Sequence, residues 1–158
     1  MYIVVLTRNN YLWDFQKELY NKAIEQKKEF QEIENTLIFC EHPSVYTLGK
    51  SGNESNLLFS KEMLGAEVYR IERGGDITFH GEGQLVGYPI FDLDSLNIGI
   101  KDFVFAIEQM IINTVAHYGI IAERDSKNAG VWLDVGSKNQ RKIAALGFKI
   151  SKKRKTSN

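Results

Sequence analysis

Short apolar runs alternate along this chain with glycine-rich or polar segments and with two longer stretches of helical period. Tyr2 to Leu6 (YIVVL) is β-branched and apolar, then broken by Arg8-Asn9-Asn10, which predicts a short buried strand. Leu12, Phe15, Leu19 and Ala23 recur at helical spacing, with Tyr20 and Ile24 alongside. They predict a helix over about Leu12 to Phe30, with Asn10 placed to cap it and a Lys/Glu face in water. Thr36 to Cys40 (TLIFC) predicts a second strand. Pro43 cannot donate to a sheet, so Glu41-His42-Pro43-Ser44 reads as a loop before a third strand, Val45 to Leu48. Residues 49–56 form a polar loop. Val68 to Ile71, Ile77 to Phe79 and Leu85 to Phe91 are further strands, the first two set around Gly74-Gly75. Phe103, Ile107, Met110, Ile111, Val115 and Tyr118 form the apolar stripe of a second helix, Lys101 to Tyr118, which Gly119 is placed to end. Gly130 to Leu133 and Ile143 to Ile150 complete the strands. Strands and helices do not alternate strictly, which predicts an α+β domain over 1–151, a mixed β-sheet flanked by helices, followed by a basic tail, 152–158.

Composition adds exclusions. The chain has 158 residues, enough for one hydrophobic core. Twenty basic residues balance 20 acidic ones, so no global field favours nucleic acid or an anionic membrane. The N-terminal sequence lacks a basic segment followed by a long apolar one, so neither a signal peptide nor a membrane span is expected, and the expected location is the cytoplasm. Cys40 is the one cysteine, which rules out an internal disulfide.

Candidate chemistry concentrates in Arg73 to Pro89, RGGDITFHGEGQLVGYP. Five glycines between Gly74 and Gly87 permit close approach of backbone to a ligand. Backbone N–H groups in such a loop can bind a carbonyl oxygen or oxyanion. Arg73 adds a fixed charge and His80 a titratable donor. On composition alone, a glycine-rich hairpin with one exposed histidine is the favoured reading. Ser44 to Ser51 (SVYTLGKS) comes close to a phosphate loop. It lacks the first glycine, however, and is followed by GNESN, poor helix sequence. His42, His80 and His117 have no ligand-like spacing, so no metal is expected.

The order of residues is more specific than their composition. Arg73-Gly74-Gly75, Thr78, His80-Gly81, Gly83-Gln84 and Tyr88-Pro89 resemble the signature of the bacterial octanoyltransferases, the lipoate–protein ligase B family. Glu41-His42-Pro43 with Val45-Tyr46-Thr47-Leu48-Gly49-Lys50 resembles the family's upstream block. Gly130-Val131-Trp132 with Lys142-Ile143-Ala144-Ala145-Leu146-Gly147 resembles its downstream block. The similarity runs from about Leu19 to Ser151. Glu82 departs from it, standing where the family usually has proline.

The resemblance implies the biotin/lipoyl ligase and transferase fold and a ping-pong acyl transfer without a cofactor. A cysteine thiolate takes octanoyl from acyl carrier protein and passes it to a lysine of a lipoyl domain. The implied partners are octanoyl-acyl carrier protein, the lipoyl domains of 2-oxoacid dehydrogenases and the glycine cleavage H protein. Lys142 matches the lysine that lowers the thiol pKa; taken alone it is a solvated lysine before a strand. Arg73, Gly74, Gly75, Asp76, Ile77, Thr78, Phe79 and His80 match the acyl-substrate segment, and Ala145, Leu146 and Gly147 a second stretch of the same site. The nucleophile lies further downstream in the family, in a Pro-Cys-Gly segment that this sequence does not contain. The chain is therefore expected to stop before the catalytic cysteine. Cys40, at the end of an apolar strand, reads as a small buried hydrophobe. The alternatives are a catalytically inactive remnant that binds acyl groups or partners, and an ATP-using ligase of the same fold.

Overall fold

The computed structural model describes residues 2–7, 12–58 and 65–151. Asn10 and the basic tail lie outside them. Strand β1 (Tyr2–Thr7) is followed by helix α1 (Leu12–Lys28), β2 (Thr36–Glu41) and β3 (Val45–Leu48). After a single 3-10 turn at Glu54–Asn56 come β4 (Glu67–Arg70), β5 (Ile77–His80) and β6 (Val86–Ile90). Helix α2 (Ile100–Ala116), β7 (Glu123–Arg124), β8 (Val131–Leu133) and β9 (Arg141–Ala144) complete the order. Two compact units result: one runs to Asp92 and takes up the chain again from Phe148, the other is Leu93–Gly147.

The first unit holds two three-stranded sheets of the same design. In β1-β2-β6 the central strand pairs parallel with β1 and antiparallel with β6. In β4-β3-β5 the central strand pairs parallel with β4 and antiparallel with β5. Pro89 sits in β6, an edge strand, where a residue without an N–H is tolerated. The core of this unit is Leu12, Ile38, Cys40 and Ile90, with Phe15, Leu19 and Ala23 of α1 packed against it. These are the residues that the helical and strand periods selected. Burying a side chain of this size contributes about 1.5–3 kcal/mol.

In the second unit β7, β8 and β9 form an antiparallel sheet. Val131 is fully buried there, and Phe103 of α2 is buried as well. The stripe expected on α2 needs correction. Met110 and Tyr118 are exposed, while Glu108 is 7% exposed. The helix turns this carboxylate inward because it has two donors there: the Gly130 N–H at 2.9 Å and Arg124 Nε at 3.1 Å.

The α+β class is what the sequence predicted: α1 packs against a mixed sheet in the first unit and α2 against an antiparallel one in the second. The strands divide among three sheets rather than one among the described residues. The last strand is also displaced: Arg141–Ala144 pairs, whereas residues 145–150 do not form a strand. Its partner β8 is only three residues long, so the ladder ends where the partner ends. α1 stops at Lys28, with Phe30 at a φ of +55°, outside the right-handed helical region.

Candidate acyl-binding site in the first unit

β2 and β3 each continue the sheet in which they are central, and only His42, Pro43 and Ser44 separate them. This short crossover brings the two sheets' polar residues together. In β2, Cys40 lies opposite Val86, so Tyr88 of β6 is its diagonal neighbour on the same face. His42, two residues on, meets both: its Nε2 is 3.3 Å from Cys40 Sγ and 2.7 Å from Tyr88 Oη. In β3, Thr47 lies opposite Thr78, which makes His80 its diagonal neighbour. Thr47 Oγ1 is 3.3 Å from His80 Nε2. The rings of His42 and His80 stand 5.6 Å apart.

Arg73 closes this cluster. Its Nη2 donates to Thr47 O at 2.7 Å and to Thr47 Oγ1 at 3.0 Å, with Nε 3.3 Å from the same hydroxyl. Nη1 donates to Gly74 O at 3.0 Å. The loop that carries Arg73 is stitched to the one after β3: Gly49 N donates to Asp76 O, Lys50 N to Arg73 O and Ser51 N to Gly75 O. Asp76 also accepts from Asn53 N and Asn56 Nδ2. A side chain at Gly49 could not fit, since a Cβ would lie 2.3 Å from Gly75 O. This stitching also disposes of the phosphate-loop likeness, because β3 runs into a turn held by the glycine loop rather than into a helix.

Burial shapes the electrostatics. It pushes the Cys40 thiol up to about 11. It pushes His42 and His80 below the ordinary histidine value, and each positive neighbour, His80 for the first and Arg73 for the second, acts in the same direction. The Tyr88 phenol is raised, chiefly by burial. The cluster is therefore a neutral, hydrogen-bonded wall with one guanidinium behind it. Among the described residues no group of three or more His, Cys, Asp or Glu could hold a metal ion.

Of the residues expected to bind substrate, Arg73 to His80 are thus held in one loop and strand. The Gly74 N–H is not free for a ligand; it donates to Phe148 O at 3.3 Å. Lys142, Ala145, Leu146 and Gly147 belong to the second unit. Lys142 lies opposite Trp132 across β8 and β9, exposed, with its ammonium over the indole ring at 4.4 Å. Trp132 is anchored by Nε1–H donating to Asn128 O. The expected site residues did not include Thr47, Gln84, His42 or Tyr88. Strand period would have found Thr47 and Tyr88, which stand diagonal to His80 and Cys40 on the same faces; His42 and Gln84 lie in the β2–β3 crossover and the 81–84 turn, where period carries no signal.

A family model described as the lipoyl protein ligase A/B catalytic domain matches residues 10–157. The chain belongs to that family. Curated relatives of this lipoyl ligase domain include an octanoyltransferase of Bacteroides fragilis, 46% identical over 142 residues, covering 88% of this chain and 64% of the relative. Another is an octanoyltransferase of Cytophaga hutchinsonii, 47% identical over 152 residues, covering 89% of this chain and 62% of the relative. The chain thus spans a little under two thirds of the length of these relatives. Among solved structures, the lipoyl ligase fold is matched by an archaeal bipartite lipoate protein ligase from Thermoplasma acidophilum. The TM-score is 0.59 at 19% identity, over 89% of this chain and 52% of that one. This likeness supports the fold alone. No described helix is long and apolar enough to cross a membrane.

Proposed function

We propose that this chain is the acyl-binding part of an octanoyl-[acyl-carrier-protein]:protein N-octanoyltransferase, a cytoplasmic acyltransferase of lipoate biosynthesis and protein lipoylation. The observation that carries this reading is the Arg73–Thr47–His80 cluster. It joins two sequence blocks characteristic of octanoyltransferases into one polar wall. Arg73 to His80 bind the acyl substrate. Ala145, Leu146 and Gly147 are assigned to the same substrate, and Lys142 to lowering the pKa of the thiol nucleophile. The donor is octanoyl-acyl carrier protein. The acceptors are lipoyl domains of 2-oxoacid dehydrogenases and the glycine cleavage H protein. Cys40 is not the nucleophile: it is 3% exposed, its thiol is pushed up to about 11, and thiolate is the reactive form.

The test has two measurements. Millimolar octanoate is expected to raise the melting temperature of this chain, because a ligand of the folded form stabilises it, and Arg73→Ala is expected to abolish the rise. Intact mass after incubation with octanoyl-acyl carrier protein is expected to show no octanoyl adduct on Cys40. Absence of any octanoate effect would remove the acyl-binding reading, and an adduct lost in Cys40→Ser would relocate the nucleophile.

A further inference from the structure

The hydrogen bonds around His80 begin and end on groups whose roles are fixed by their chemistry. The backbone oxygen of Phe79 can only accept, so the group 3.3 Å from it must be the Gln84 side-chain NH2. The Gln84 oxygen is then the atom 2.8 Å from His80 Nδ1, and it can only accept in turn. His80 Nδ1 must therefore carry a hydrogen. At the other end a guanidinium can only donate. Arg73 presents both Nε and Nη2 to Thr47 Oγ1, at 3.3 and 3.0 Å, and occupies the lone pairs of that hydroxyl. The one hydrogen of Thr47 must then point to His80 Nε2, 3.3 Å away, which accepts it and carries none.

We infer that Gln84 and Thr47 are positioning residues: Gln84 fixes the proton of His80 on Nδ1, and Thr47, by donating to Nε2, keeps the ring a neutral imidazole. His80 then serves this site as a fixed polar wall and not as a general acid or base. Its consequence for acyl transfer rests on the proposed reading of this loop as the acyl site. Protonating Nε2 would set an N–H against a hydroxyl whose lone pairs Arg73 already uses, so a bond would be lost. Among the described residues, charged or titratable groups facing His80 include Arg73 from the glycine loop and His42 from the β2–β3 crossover; a positive charge on either opposes a second proton on His80, as burial does, whereas the Gln84 oxygen on Nδ1 favours it.

Long-range 1H–15N NMR correlations of the imidazole rings, on the labelled full chain across a pH series, test this without any acyl ligand. A failure here is therefore distinct from a failure of octanoate binding. In the parent, His80 is expected to carry its proton on Nδ1 and to titrate below about 6.5, the ordinary histidine value. Gln84→Leu combined with Thr47→Val, which removes both determinants, is expected to convert His80 to a mixture of tautomers. Gln84→Glu is expected to retain the Nδ1 proton and raise the titration midpoint by about one pH unit or more, because a carboxylate then faces it. Thr47→Val is expected to raise the midpoint by freeing Nε2, and Thr47→Ser to restore it. A parent spectrum with the proton on Nε2, or a parent His80 titrating at or above about 6.5, overturns the assignment even if no variant folds. So does a Gln84→Leu, Thr47→Val protein whose tautomer is unchanged.

Discussion

Cys40, His42 and His80 titrate in opposite directions, and this sets a pH window for the folded state. Burial raises the Cys40 thiol from an ordinary value of 9.0 to about 11. Above pH 9 the unfolded chain loses that proton while the folded chain keeps it, so stability falls as pH rises towards 11. The loss is on the order of 3 kcal/mol. His42 and His80 are lowered, so below their ordinary 6.5 the unfolded chain takes up protons that the folded chain refuses. Stability therefore falls again as pH drops. Urea midpoints are expected to be highest between about pH 6.5 and 9, and Cys40→Ala to flatten the alkaline limb. Equal alkaline slopes for parent and variant would remove Cys40 as the cause. A second residue-scale prediction concerns Glu82. Gln84 N donates to Gly81 O, and Gly83 has a φ of +80°, which makes residues 81–84 a type II turn with Glu82 at its second position. Proline suits that position, which accounts physically for the family's proline there. Glu82→Pro is expected to raise stability by about 0.4–1 kcal/mol in denaturant melts.

At the scale of the element, the inward carboxylate of Glu108 joins α2 to the loop ahead of β8. It accepts from the Gly130 N–H and from Arg124, whose Nη2 also donates to Phe105 O and Gln109 Oε1. Glu108→Ala leaves the buried Gly130 N–H and the Nε of Arg124 without their acceptor, and is expected to cost about 3–5 kcal/mol. Glu108→Gln, which keeps one acceptor, is expected to cost less; similar denaturation midpoints for parent and both variants would refute this. The helix was legible from the period of its apolar residues, but its orientation was not, because a carboxylate counts as polar until its buried partners are known. β1, β2, β3, β5 and β6 were legible because each is apolar or β-branched and bounded by turn residues. β7, with two residues, carries no period at all. The displaced end of β9 could not be read from Ile143 to Ile150, since a strand's length is set by its partner. The chemical blocks were legible from their order. The Thr47–His80 contact needed the antiparallel register, which no single block contains.

For the molecule as a whole, the exposed edge of the first sheet matters most. β1 is an edge strand, and Tyr2, Ile3 and Val5 are 60, 59 and 70% exposed. An apolar edge is a template for pairing with another chain. Concentration-dependent self-association is expected in sedimentation velocity, and Val5→Lys is expected to suppress it without lowering the melting temperature by more than a few degrees. A parent chain that remains monomeric at high concentration would show that the edge is protected.

The two sheets of the first unit are built from strands distant in sequence, and this has a consequence in time rather than in energy. Cys40 pairs across the sheet with Val86, 46 residues further on. A ribosome adding about 5–20 residues per second delivers that partner roughly 2–9 s after Cys40 itself. For that interval the thiol that the finished fold seals away is exposed to oxidants and electrophiles. The order in which the strands emerge therefore sets how long Cys40 stays open to modification.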